Sequence, residues 1–161
     1  MKRLSSIFAA ALVTASFAAP AFATSPDVYV VNFRNAKDNN SARLDSELSS
    51  ALAISGVNAE EVIIDTSTAA KWEKGAHEAF DRDIVPVFNQ WVGLPGFAAI
   101  VDAKSKRVIG CVNSTFTANE MADKIRQMAS ASSGSAYLSR ASINTKTTNC
   151  PAPHNVDPAG R

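Results

Sequence analysis

The stretch that decides the fold is residues 92–101, VGLPGFAAIV, in which a Gly-Leu-Pro-Gly turn leads into a fully apolar segment. Residues 97–101 are too few for a typical helix, and a short apolar run bounded by turn residues is typical of a buried strand. A polar loop, residues 102–106, separates this run from a second one at residues 107–112. Two such strands joined by a short polar loop predict a β-hairpin.

Alternating strands and helices precede the turn. Residues 28–33 and 62–65 are rich in β-branched and aromatic side chains, which predicts strands. An apolar stripe with helical spacing follows each strand. The first stripe is Leu44, Leu48, Ala51 and Leu52, and the second is Trp72, Ala76, Ala79 and Phe80. The second stripe places Trp72 in the core.

The middle and the end of the domain are also helical in pattern. Pro86 suits the first turn of a further helix, so the middle segment predicts one bent helix or two helices. Thr117 and Glu120 form a capping box before a final helix at residues 118–129, and Ser41 is a candidate cap for the first helix. The fold class predicted from this order is α/β.

The first 23 residues have the features of an export signal. Lys2 and Arg3 precede an apolar region, and Ala21-Phe22-Ala23 fits the small-x-small pattern of a cleavage site. The apolar region is short and rich in Ala and Ser, which disfavours a permanent membrane anchor. We therefore expect cleavage at about Ala23, localisation in the periplasm or secretion, and no membrane span in the mature protein.

The charge balance limits the kinds of partner. Removal of Lys2 and Arg3 from the 16 basic residues leaves 14 against 15 acidic residues. A nearly neutral chain is not expected to use nucleic acid or anionic lipid as its main partner.

The composition changes near residue 130. Residues 130–161 are rich in Ser, Ala, Thr, Asn and Pro and contain few large apolar side chains. Such a segment buries too little surface to offset its ordering entropy. We therefore expect a domain at residues 24–129 and an extended or disordered tail at residues 130–161.

The chain has two cysteines, Cys111 and Cys150, and the second lies in the tail. In an oxidising compartment an even pair favours a structural disulfide. The alternative is a reactive or intermolecular thiol at Cys111, and the sequence leaves both interpretations open.

The order of elements from residue 28 to residue 129 resembles the thioredoxin-like superfamily. In that family a βαβ unit is followed by a helix, an X-Pro turn with a cis bond, a β-hairpin and a C-terminal helix. The resemblance implies a central mixed sheet flanked by helices, and it implies a cis bond between Leu94 and Pro95.

The chain departs from the redox-active members of that family at the first helix. Those members carry Cys-x-x-Cys after the first strand, where the helix N-terminus lowers the pKa of the first thiol. Residues 36–41 read AKDNNS here, so Asp38 and Ser41 stand at about the two cysteine positions. Two-cysteine thiol exchange is not available there, and we do not expect an enzyme.

The resemblance also implies a groove for an extended peptide. We expect it between residues 37–41, with Lys37, Asp38 and Ser41, and the turn at Leu94 and Pro95. In the family the residue before the proline, here Leu94, offers its backbone N–H and C=O to a peptide. Trp91 either lies in this groove or packs beneath the hairpin.

These features predict an exported, redox-inactive thioredoxin-like protein that binds a protein or peptide partner in the cell envelope. One alternative is a redox partner that acts through Cys111, and another is a structural component of an envelope or secretion assembly. His77 and His154 lie far apart without clustered ligands, so no metal site is expected. No cofactor fingerprint is present, and no cofactor is expected.

Overall fold

The computed structural model describes residues 25–134 and 150–153, which form an α/β domain and a short C-terminal segment. The predicted signal peptide lies outside the described residues. The elements in chain order are β1 (Val28–Arg34), α1 (Asn39–Ser55), β2 (Ala59–Asp65), α2 (Ala69–Asp81), α3 (Val85–Trp91), β3 (Phe97–Asp102), β4 (Val108–Asn113) and α4 (Ala118–Gly134).

The four strands form one mixed sheet in the order β2-β1-β3-β4. β1 and β2 are parallel, and Val31 lies opposite Val62. β3 runs antiparallel to β1, and β4 runs antiparallel to β3, with Ala99 opposite Cys111. The predicted α/β class, the hairpin and the mixed sheet flanked by helices are therefore confirmed.

Side chains alternate between the two faces of the sheet along each strand, and helices cover both faces. On one face Val31, Phe33 and Ile64 pack with residues of α2 and α3. On the other face Val30 and Ile100 pack with residues of α1 and α4. The domain thus has a helical layer on each side of its sheet.

The middle segment forms two helices, one of the two predicted arrangements, but α2 faces the sheet differently from the prediction. Trp72 is 46% exposed and Phe80 is 73% exposed, so the expected core position of Trp72 is wrong. The buried residues of α2 are Gly75 and Ala79. A Cβ atom at Gly75 would lie 3.4 Å from the Cα of Ile64, so the helix approaches β2 closely on its small residues. Because the small residues of α2 face the sheet, the side chains of Trp72 and Phe80 point away from the core and are exposed.

The C-terminal part also differs from the prediction. α4 continues to Gly134, five residues beyond its expected end, so the beginning of the expected tail is helical. Ala129 packs in the core, and the hydroxyl of Ser132 donates a hydrogen bond to Asp102, which ties this last part of α4 to the sheet. Cys150 and Pro151 contact the domain, while residues 135–149 and 154–161 fall outside the described part. None of the helices described in these two ranges has the length and apolar character needed to span a membrane.

Candidate functional site

The candidate site lies where β1 ends and β3 begins. Because β3 is antiparallel to β1, Phe33 pairs with Phe97, and the N–H of Gly96 donates to the carbonyl of Phe33 at 2.9 Å. A Cβ atom at Gly96 would lie 3.1 Å from Oδ2 of Asp38. The backbone of Gly96 has φ of +91°, a conformation that residues other than glycine rarely adopt. The loop before α1 and the Gly-Leu-Pro-Gly turn are therefore adjacent, and glycine is required at their contact.

Asp38 and Ser41 shape the loop from within. Asp38 is the N-cap of α1, which begins at Asn39, so the cap lies three residues before the expected Ser41. Oδ2 of Asp38 accepts from the backbone N–H of Ser41 at 2.8 Å and from its hydroxyl at 2.9 Å. Oγ of Ser41 accepts from the N–H of Asn35 at 3.1 Å. Asp38 thus satisfies a backbone donor that the start of the helix leaves free, and Ser41 satisfies one in the loop before it.

Hydrogen bonds also join this loop to the loop after β2. Nδ2 of Asn35 donates to Oγ1 of Thr66 at 3.1 Å, and the N–H of Ala36 donates to Oγ of Ser67 at 2.7 Å. These residues carry no sequence signal for a site, because the pairing of two loops depends on strand register. The parallel pairing of Arg34 with Asp65 brings the two loops side by side.

The predicted binding residues differ in their accessibility. Lys37 and Pro95 are exposed, Asp38 and Leu94 are half-buried, and Ser41 is buried. The N–H of Leu94 donates to the carbonyl of Trp91 at 2.9 Å, so it is not free for a peptide as expected.

The bond between Leu94 and Pro95 is trans, so the predicted cis bond is wrong. The trans form is the lower-energy form of an X-Pro bond. Gly93 and Gly96, with φ of +89° and +91°, supply the chain reversal on either side of it.

Trp91 is 4% exposed and belongs to a cluster of three aromatic rings. Its ring centroid lies 6.2 Å from that of Phe33 and 5.7 Å from that of Phe97, both edge to face. Its indole N–H donates to the carbonyl of Pro151 at 3.0 Å. Trp91 is therefore a buried residue beneath the C-terminal segment, a contact that no local sequence pattern predicted.

Cys111 and Cys150 form a disulfide, with their Cα atoms 4.9 Å apart. Cys111 is fully buried on β4, and Cys150 is half-buried against the same core. The chain's two cysteines are both in this bond, so neither is a free thiol. The predicted pairing is confirmed.

A network of charged side chains lies at the carboxyl ends of β1 and β2. Arg34 pairs with Asp45 at 2.9 Å, and Lys71 pairs with Asp65 at 3.0 Å. Burial favours a raised pKa for Asp65, but hydrogen bonds from Ser67 and the nearby Lys71 ammonium outweigh it and lower the pKa to about 2. Asp65 is therefore ionised in the folded protein at neutral pH.

An open depression of about 430 Å³ adjoins this network. Its charged lining is largely paired, for example Arg82 with Glu60 at 2.6 Å and with Glu78 at 2.5 Å. Within the two described ranges, no group of three His, Cys, Asp or Glu residues could hold a metal ion.

No protein-family model matches this chain, and searches of curated proteins and of solved structures give no significant match. The class that the structure itself defines is an α/β domain with a four-stranded mixed sheet between two helical layers.

Proposed function

We propose that this chain is an exported, thioredoxin-like protein without dithiol activity that binds a protein or peptide partner in the cell envelope. The binding surface comprises residues 37–41 and the turn at Leu94 and Pro95. The observation that carries the proposal is the contact between Asp38 and Gly96, which joins these two segments at the end of β1.

The strand arrangement supports the thioredoxin-like assignment. A parallel βαβ unit, a helical segment, an antiparallel hairpin and a final helix follow one another, and the sheet order is β2-β1-β3-β4. This is the order of parts that the resemblance implies, although the trans bond at Pro95 departs from the family pattern.

Three observations support the absence of dithiol activity. Asp38 and Ser41, at the positions of the family's cysteines, are engaged in capping α1. Cys111 lies on β4, two strands away from β1 in the sheet, which corresponds to roughly 10 Å. Its sulfur is bonded to Cys150. The alternative of a single reactive thiol at Cys111 has less support, because that residue is fully buried.

The accessible part of the surface supports partner binding. Lys37 and Pro95 are exposed and Leu94 is half-buried. They belong to the two segments that meet where Gly96 approaches Asp38, so these segments offer a cation, a proline ring and an apolar side chain. The Ala21-Phe22-Ala23 pattern and the disulfide both support export, since disulfides persist in oxidising compartments.

A selection from phage-displayed random peptides tests the binding surface on the oxidised chain. We expect peptides whose affinity falls at least tenfold in Lys37→Glu and in Pro95→Glu, because both side chains are exposed and their replacement leaves the core intact. Lys104→Glu is the matched control. Lys104 is an exposed lysine in the β3–β4 loop, at the opposite end of the sheet.

Equal binding by all three variants would show that the surface is wrongly assigned. Acceleration of insulin reduction by dithiothreitol in the presence of the chain would contradict the absence of dithiol activity.

A further inference from the structure

In the C-terminal segment, residues 150–153, Cys150 packs against the core cluster that contains Phe33, Trp91 and Phe97, while Ala152 and Pro153 are exposed. The carbonyl of Pro151 accepts the hydrogen bond of the Trp91 indole N–H at 3.0 Å. A buried indole N–H needs an acceptor, because water no longer reaches it. Here the acceptor comes from outside the sheet and its helices, so the N–H edge of Trp91 faces the C-terminal segment.

The segment has the chemistry of a proline-rich ligand. Its sequence is Cys-Pro-Ala-Pro, so a proline follows both Cys150 and Ala152. Proline fixes its own φ and restricts the residue before it to extended conformations. Proline also lacks an N–H, so the segment offers mainly carbonyl acceptors. Extended proline segments that dock on aromatic surfaces are a general mode of peptide recognition.

The disulfide holds this segment in place. Cys150 precedes Pro151 directly, so the bond to Cys111 fixes the carbonyl acceptor next to Trp91. After reduction, the covalent path from the domain to Pro151 runs through residues 135–149 instead. A longer tether lowers the effective concentration of a linked ligand at its site.

From these contacts we infer that the Trp91 surface is a binding site for extended, proline-containing peptides, and that the chain's own residues 150–153 close it while the disulfide is intact. A dithiol reductant opens the site. The inference rests on the proposed function in that the partner is a peptide, but it concerns a different site, centred on Trp91, and the reduced state.

The opening reaction exchanges one disulfide for another. A thiolate of the reductant attacks the sulfur of Cys150, which is more accessible than the fully buried Cys111. The bond between Cys111 and Cys150 breaks, and the Cys111 sulfur leaves with the electron pair and takes a proton. The second thiolate of the reductant then attacks the reductant sulfur that is bonded to Cys150 in the mixed disulfide. Cys150 leaves as a thiolate and takes a proton, and the reductant ends as an internal disulfide.

Fluorescence anisotropy with a labelled peptide tests the inference on the full chain. The probe is Asn-Ser-Pro-Ala-Pro-His-Asn, which is residues 149–155 with Ser in place of Cys150. We expect the chain reduced with dithiothreitol, and the Cys111→Ala/Cys150→Ser variant, to bind the probe at least tenfold more tightly than the oxidised chain. A control peptide with both prolines replaced by alanine should bind at least tenfold more weakly to the opened forms.

Trp91→Phe, made in the Cys111→Ala/Cys150→Ser chain, tests the indole N–H. It keeps an aromatic ring and removes the donor, and we expect at least a tenfold loss of binding. Trp72→Phe in the same chain is the matched control, since Trp72 lies on α2 and should leave the affinity unchanged. If Trp91→Phe does not fold, the comparison of the two peptides on the double variant decides.

Equal binding by oxidised and reduced chain, or equal binding of the two peptides, would overturn the inference. Formation of a dimer on reduction, without binding of the probe, would also overturn it and assign the surface to the tail of a second copy. Lys37→Glu, which tests the proposed function, is expected to leave probe binding unchanged, so the two proposals can fail separately.

Discussion

Single polar side chains near the candidate site mainly satisfy backbone groups. Asp38 caps α1, and Ser41 accepts from the N–H of Asn35. The carboxylate and the hydroxyl at this helix start could be predicted from the sequence, because both residue types are typical of caps. The choice of Asp38 rather than Ser41 as the cap could not be predicted, since it depends on where the preceding loop meets Gly96.

Ionisation of Asp65 should make the free energy of unfolding depend on pH in the acidic range. Its pKa is lowered to about 2 in the folded state from an ordinary value of 3.8. Its ionised form therefore stabilises the fold by about 2 kcal/mol above pH 4, and this contribution is lost as the pH falls toward 2. Urea unfolding at a series of pH values from 7 to 2 measures this effect. Relative to the wild-type chain, the free energy of unfolding of Asp65→Asn should be lower by about 2 kcal/mol at neutral pH and nearly equal at pH 2.

Ser67→Ala is an informative partner for this test. It removes one donor to the carboxylate and keeps the ion pair with Lys71, so it should show an intermediate loss. A constant difference between Asp65→Asn and the wild-type chain over the whole pH range would contradict the role assigned to Asp65.

At the scale of elements, residue types predicted the strands and their order better than the orientation of α2. β1 and β3 consist of short apolar runs, which indicate buried strands without reference to the rest of the chain. The orientation of α2 depends instead on the close approach of Gly75 to Ile64. When an apolar stripe contains both aromatic and small residues, the sequence alone does not show which of them pack against the sheet.

Two adjacent residues of α2 should differ strongly in the effect of substitution on stability. Phe80→Ser should change the free energy of unfolding by less than about 0.5 kcal/mol, because Phe80 is mostly exposed. Ala79→Leu should cost about 1–3 kcal/mol, because it inserts a large side chain where the helix lies close to β2. Urea unfolding at neutral pH measures both, and a larger loss in Phe80→Ser would contradict the observed helix face.

At the scale of the whole molecule, the disulfide connects two regions that look independent in the sequence. Cys150 lies in a stretch of tail-like composition, yet it packs on the core beside Cys111. The pairing itself could be predicted, because the chain has two cysteines and signs of export. The contact between Pro151 and Trp91 could not, because the two residues are 60 positions apart and share no periodic pattern.

Loss of the disulfide should weaken the whole fold. Cys111→Ala/Cys150→Ser should lower the free energy of unfolding by about 3 kcal/mol, since a cross-link between distant residues restricts the unfolded chain. Urea unfolding of the variant and of the wild-type chain, with and without dithiothreitol, measures this effect. Alkylation followed by intact mass should add two labels after reduction and none before it. An unchanged stability of the wild-type chain in dithiothreitol would contradict a structural role for the bond.

The covalent ring closed by this bond also determines how the protein bears a mechanical load. α4 lies entirely inside the ring, between Cys111 and Cys150. A pulling force applied beyond residue 150 therefore reaches β4 directly through the sulfur atoms and bypasses α4. Reduction would add the segment between the two cysteines, whose sequence separation is 39, to the chain that can extend, a hidden length of about 130 Å.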